Sequence, residues 1–138
     1  DLLFGSFNKR FSNQRTDFDW LSRDQKEVDA YIQDPLCGFP FTAAAYLDLI
    51  SLQYYSNTKL WYKTLPQNLP MLLISGSMDP VGGYGKGISA IAKNLHNVGI
   101  QDLTVWLYPE ARHELLNELN RDEVMRDVLS WLALHSAE

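Results

Sequence analysis

The stretch Met71-Leu72-Leu73-Ile74-Ser75-Gly76-Ser77-Met78-Asp79-Pro80-Val81-Gly82 decides how the chain is read. An apolar run passes abruptly into small residues, and a carboxylate follows, fixed by a proline. A short apolar run bounded by turn residues is the pattern of a buried strand, so Asp79 is expected at the strand's C-terminal edge. A second run, Leu103-Thr104-Val105-Trp106-Leu107, leads into Tyr108-Pro109-Glu110-Ala111-Arg112-His113-Glu114 and brings a histidine to the end of another strand. In open parallel sheets the loops after the carboxyl ends of the strands carry the chemistry. An acid and a base are therefore expected to meet.

Between the two strands, Ile88, Ile91, Ala92, Leu95 and Val98 fall on one face of a helix that Gly99 closes. After the second strand, Asn120 stands as N-cap with Glu123 three residues on, and Val124, Val128, Trp131, Leu132 and His135 form a stripe. The order β, loop, α, β, loop, α predicts an α/β fold with a parallel pair of strands joined by a right-handed crossover.

Upstream the signals are weaker. Residues 1 to 19 mix Phe4, Phe7, Phe11 and Phe18 with Gly5, Asn8, Asn13 and charges, and show no sustained period. They read as an irregular aromatic-rich segment with one helical turn at most. Ser22-Arg23-Asp24-Gln25 has the form of a capping box, which predicts a helix from about Arg23 to Gln33, ended by Asp34-Pro35. Thr42 as N-cap opens a second helix, Ala43 to Tyr55, whose Tyr46, Leu47, Leu49, Ile50 and Tyr54 nearly encircle it; burial on more than one side is expected. Lys59 to Pro70 reads as a connection.

Composition sets the outer bounds. The 138 residues are 46% hydrophobic and 21% charged, values of a globular chain with a sizeable core. Twelve basic residues against seventeen acidic ones give a net charge of −5, and the basic residues are scattered. That argues against a nucleic-acid groove or a polybasic membrane patch. The single cysteine, Cys37, has no internal disulfide partner and cannot form a zinc site alone; without a basic neighbour it reads as a buried structural thiol. A cytoplasmic setting is allowed, with membrane association left open. Asp48 interrupts the longest apolar candidate, so no transmembrane segment is expected.

Gly82-Gly83-Tyr84-Gly85-Lys86-Gly87 invites comparison with a phosphate cradle, but the spacing fits neither G-x-G-x-x-G nor a P-loop, and a turn between strand and helix is the better reading. His96 and His135 are placed on surfaces, and no local metal-binding motif includes His113. Asp79 and His113 together suit nucleophilic catalysis, in which a carboxylate orients an imidazole that takes a proton from an attacking hydroxyl. The hydroxyl is missing. Neither Ser77 nor Ser89 lies in a G-x-S-x-G elbow, and the chain order serine, acid, histidine would put the nucleophile before Asp79.

Ser75-Gly76-Ser77-Met78-Asp79-Pro80-Val81-Gly82, the segment Tyr108 to Glu118 and the closing helix resemble the C-terminal part of α/β-hydrolases of the monoacylglycerol lipase and lysophospholipase group, which is serine aminopeptidase-like. Phe18-Asp19-Trp20-Leu21-Ser22-Arg23-Asp24, Val28-Asp29-Ala30-Tyr31 and Asp34 to Phe39 resemble the lid of that group's bacterial members. The resemblance implies Asp79 as triad acid, His113 as general base, residues 1–41 as lid (cap) and 42–138 as the C-terminal part of the hydrolase core. It implies lipid or small ester substrates, no metal or organic cofactor, and a nucleophile upstream of residue 1, so that this chain alone is expected to be inactive. Two other readings remain open: a small α/β binding module, and a hydrolase relative that has lost its serine. An exposed edge of a parallel sheet is in addition expected to promote self-association.

Overall fold

A computed structural model describes residues 6–136. Phe4 and Gly5, part of the aromatic-rich reading above, lie outside the described residues. The chain runs as a 3-10 turn (Phe7–Arg10), helices α1 (Gln25–Gln33), α2 (Ala43–Ser56) and α3 (Lys59–Lys63), strand β1 (Met71–Gly76), helix α4 (Lys86–Asn97), strand β2 (Leu103–Tyr108), a second 3-10 turn (Leu115–Asn117) and helix α5 (Arg121–His135).

The strands pair in parallel, from Met71 opposite Leu103 to Gly76 opposite Tyr108. They end level, so the loops that follow leave the sheet side by side. Side chains alternate between the two faces. Leu73 and Leu103 pack with Leu95 of α4 and with Tyr62 and Ile100, whereas Ile74 and Trp106 pack with Val124 of α5, Ala111 and Leu115. One helix on each face of a parallel pair is the α/β layering that the order of elements predicts.

Helix α4 buries Ile88 and Leu95 and ends before Gly99, whose φ of +94° favours glycine. Thr42 caps α2 as expected, its hydroxyl accepting the Ala45 N–H at 3.2 Å. The connection after α2 differs from expectation by containing the short helix α3, capped by Thr58 through the Trp61 N–H.

Other expectations need correction. Helix α1 begins at Gln25 and its cap is Asp24, which accepts the Lys26 N–H; no capping box forms. The Ser22 hydroxyl accepts the Asp24 N–H at 2.9 Å rather than the Gln25 N–H that a capping box needs, and it donates to the Asn117 carbonyl at 2.7 Å. Asn120 occupies the N-cap position of α5, but its side chain binds Arg23 and Glu123 instead of capping the helix. Helix α2 buries no residue: Leu47 and Leu52 are each 65% exposed and Tyr54 is 78% exposed. Cys37 is half-buried rather than buried. His135 is no free surface residue; it stacks on Trp131 at 4.1 Å and pairs with Asp102 at 3.1 Å. Among the described residues no helix is long and apolar enough to cross a membrane.

At the end of β1 the packing permits no side chain. A Cβ on Gly76 would lie 2.2 Å from the carbonyl oxygens of both Ala111 and Arg112. Main-chain atoms cannot swing aside, so Gly76→Ala is expected to cost about 3 kcal/mol or more. A urea midpoint within experimental error of the parent, at unchanged slope, would contradict this close approach.

Candidate active site

Three hydrogen bonds stitch the loop after β1 to the loop after β2. The Ser77 N–H donates to the Tyr108 carbonyl and the Met78 N–H to that of Ala111, each at 2.9 Å. The Ser77 hydroxyl accepts the Glu110 N–H at 2.8 Å. Ser77 thus serves the structure, at the rim of the site. Glu110 takes a φ of +60° to make the turn.

The first loop then rolls around Asp79. Its carboxylate accepts the Val81 N–H at 2.9 Å and its carbonyl the Tyr84 N–H at 2.8 Å. Tyr84 and Gly85 follow with φ of +59° and +84°, so the glycine-rich stretch is a tight wrap about the acid rather than a slack turn. Asp79 is left with 10% of its side chain exposed, and its Oδ1 lies 3.1 Å from Nδ1 of His113.

His113 is held by main-chain bonds from a distant segment. Its N–H donates to the Trp20 carbonyl at 3.4 Å, and the Glu114 N–H donates to that of Leu21 at 2.8 Å. The Trp20 ring lies 5.3 Å from the imidazole, with Phe7 edge-on behind it at 5.0 Å. The imidazole keeps 38% of its surface. Among the described residues, Nε2 makes no hydrogen bond.

A buried polar cluster lies behind the pair. The Arg112 guanidinium donates to the carbonyls of Asp19 and Ser22 and sits 4.1 Å over the Phe11 ring. Burial lowers the Arg112 pKa, against the opposing charges of Glu118 and Asp19. Glu118 is completely buried and is bonded by Arg23, Arg112 and Leu119. Asp19 binds the amides of Arg15 and Thr16 and the Thr16 hydroxyl. Burial pushes its pKa up, but these bonds outweigh it, and the net shift is downward.

The structure therefore brings together the two expected site residues, Asp79 and His113. It leaves Cys37 apart, with a thiol pKa raised by desolvation and by Asp34. Trp20, Arg23, Arg112 and Glu118 were not singled out as site residues from the sequence. Their partners lie some ninety residues away along the chain, and no local pattern reports such a distance. Glu118, with Asn117 before it and Asn120-Arg121 after Leu119, carries no local signal of its burial.

Comparison with known proteins matches residues 2–120 to the family described as serine aminopeptidase, S33. The chain belongs to that family. The monoacylglycerol lipase of Mycolicibacterium smegmatis (strain ATCC 700084 / mc(2)155), a relative of this serine aminopeptidase family chain, is 28% identical over 126 residues, covering 88% of this chain and 41% of the lipase. A highly thermostable carboxyl esterase from Bacillus coagulans, solved in complex with glycerol, superposes with a TM-score of 0.86 at 28% identity, covering 95% of this chain and 43% of the esterase. A lipase in an open form superposes with a TM-score of 0.84 at 28% identity, covering 98% and 44%. The chain thus spans about two fifths of the length of these relatives, and its strands and flanking helices form part of an α/β-hydrolase fold of the family.

The hydrogen bond to Asp79 raises the His113 pKa above its ordinary value; burial opposes it, and the charges of Asp79 and Glu114 add to it. The folded state thus holds this proton more tightly than the unfolded chain. The resulting stability is fully present below about pH 6.5, the unperturbed histidine value, and is lost as pH rises through the folded-state pKa. Asp79→Asn should lower the His113 pKa and abolish that slope. An NMR titration of His113 unmoved by the substitution would rule out Asp79 as the cause.

Proposed function

We propose that this chain supplies the acid and the base of a serine ester hydrolase. The observation that carries the reading is the Asp79–His113 bond at 3.1 Å, made through Nδ1 with Nε2 left without a partner among the described residues. A carboxylate on Nδ1–H fixes the tautomer that presents a basic Nε2 and stabilises the imidazolium formed when Nε2 takes a proton. The attacking group is a serine outside this sequence: its hydroxyl proton passes to Nε2 as the oxygen bonds to the ester carbonyl. The same proton then passes to the departing alcohol, and water repeats the sequence to release the acid. Every proton is accounted for by His113, and no metal or organic cofactor is called for.

Carboxylic esters of glycerol, monoacylglycerols or lysophospholipids, are the substrate class we assign. A monoacylglycerol lipase and an esterase solved with glycerol among the relatives support it. Residues 1–41 act as a lid over the acyl chain, and 42–138 as the core part. The apolar groups displayed along this region, Leu36 at 80%, Phe39 at 56% and Phe41 at 44% exposed, suit such a cover. The chain alone, with acid and base but no nucleophile, is inactive. It associates with itself through the exposed edge of its sheet, and a monodisperse monomer in sedimentation equilibrium would refute that part.

Fluorophosphonate labelling of the longest natural product that contains this sequence tests the central reading. One adduct by intact mass is expected, lost on His113→Ala, with no adduct on the 138-residue chain alone. Asp79→Asn should lower kcat on the order of 10^4-fold, the size that follows loss of a triad carboxylate. A natural product that consists only of this chain and takes no label would end the enzyme reading.

A further inference from the structure

Glu118 has no exposed surface, and its hydrogen-bond partners are Arg23, Arg112 and Leu119 rather than Asp79 or His113. A carboxylate in such a place needs donors on its oxygens to replace the water it has lost. Four N–H groups supply them. Oε1 accepts from the main-chain amides of Arg23 at 3.1 Å and Arg112 at 2.8 Å. Oε2 accepts from Nε of Arg23 at 2.8 Å and from the Leu119 amide at 3.0 Å.

The choice of donors matters more than their number. Arg112 is the residue before His113, so the bond to its amide fixes the peptide from which the histidine projects. Arg23 lies just beyond Trp20 and Leu21, whose carbonyls receive the His113 and Glu114 amides. The Arg112 guanidinium closes the circuit by donating to Asp19 and Ser22. The histidine loop and segment 19–23 are thus bound to each other at several points, with one buried carboxylate at the junction.

We propose that Glu118 is a positioning residue for His113, its carboxylate tying the main chain of Arg112 to Arg23 so that the approach of the imidazole to Asp79 depends on where segment 19–23 sits. This rests on the reading of His113 as general base. The charged groups that face the imidazole are Asp79 from the loop after β1 and Glu114 beside it, with the Trp20 ring packed on it. Loosening the Arg112 anchor weakens the bond to Asp79, and the His113 pKa falls. The acid limb of kcat/KM, which reports the base of the free enzyme, follows it to lower pH.

Glu118→Gln keeps the volume but turns an NH2 group toward N–H donors. In the longest natural product that contains this chain, it is expected to lower kcat about 100-fold, the scale of a 1 Å misplacement. KM should stay within about twofold, and the acid limb and the His113 NMR titration should both move to lower pH. Leu95→Ala, in the separate cluster under α4, controls for stability: it should lower the melting temperature and leave both pH readouts in place. Wild-type behaviour of Glu118→Gln, or an equal pH displacement in Leu95→Ala, would overturn the proposal. Should Glu118→Gln fail to fold, Glu118→Asp keeps the charge but shortens the reach to the Arg23 and Arg112 amides; its His113 titration must move the same way, and an unmoved one overturns the proposal. If the parent neither labels nor cleaves esters, the hydrolase reading fails, and the NMR titration still decides whether Glu118 positions the histidine.

Discussion

Gly76 and Tyr108 face each other as the last rung of the parallel pair, and the site depends on that level ending. Because the strands stop together, the two loops run alongside one another and exchange main-chain bonds through Ser77, Met78, Tyr108 and Ala111. Because residue 76 lacks a side chain, the carbonyls of Ala111 and Arg112 can settle on the strand end. The separation of Asp79 from His113 is consequently set by backbone, with little left to the reach of flexible side chains. Groups fixed this way are already ordered relative to one another, which is the content of preorganisation.

The opposite end of the chain shows a different balance. Among the described residues the sheet has two strands, and each face is covered by one helix, yet α2 lies with its apolar residues in solvent. Leu47, Leu52 and Tyr54 are exposed together with Leu49, Ile50 and Tyr55 on the same helix, with Asp48, Ser51 and Gln53 among them. The helix still forms because Thr42 caps it and it carries neither glycine nor proline from Ala43 to Ser56. Local propensity determines its existence, while burial has not determined its environment.

The same division separates the features with a local sequence signal from those without one. Both strands, α4, α5 and α2 were legible because each carries its own signal: an apolar run, a one-sided stripe, a threonine cap. Asp79 and His113 were legible because strand ends are marked locally by a change of composition. The capping box at Ser22 misled for the opposite reason. Its serine hydroxyl accepts the Asp24 N–H and donates to the Asn117 carbonyl, and a bond across the fold cannot be seen in a four-residue pattern. The burial expected of α2 failed similarly, since periodicity describes which residues are apolar but not whether a neighbour is present. His135 looked like a polar end to a stripe; its stacking on Trp131 and its bond to Asp102 depend on where α5 lands.

The two members of the Asp79–His113 pair are unequally exposed. Asp79 is nearly buried and His113 is not, with 10% and 38% of their side chains exposed. Attraction between the two groups is screened less where water is excluded, so the Nδ1 side is the strongly held one, and the rest of the ring is left partly open to solvent. Trp20 contributes to both properties: its ring covers part of the imidazole while its carbonyl fixes the backbone beneath. Residues near the start of the chain therefore help to decide how a histidine near its end is presented. The Arg23–Glu118–Arg112 junction joins the two segments, so where residues 19–23 sit bears on where the histidine loop sits.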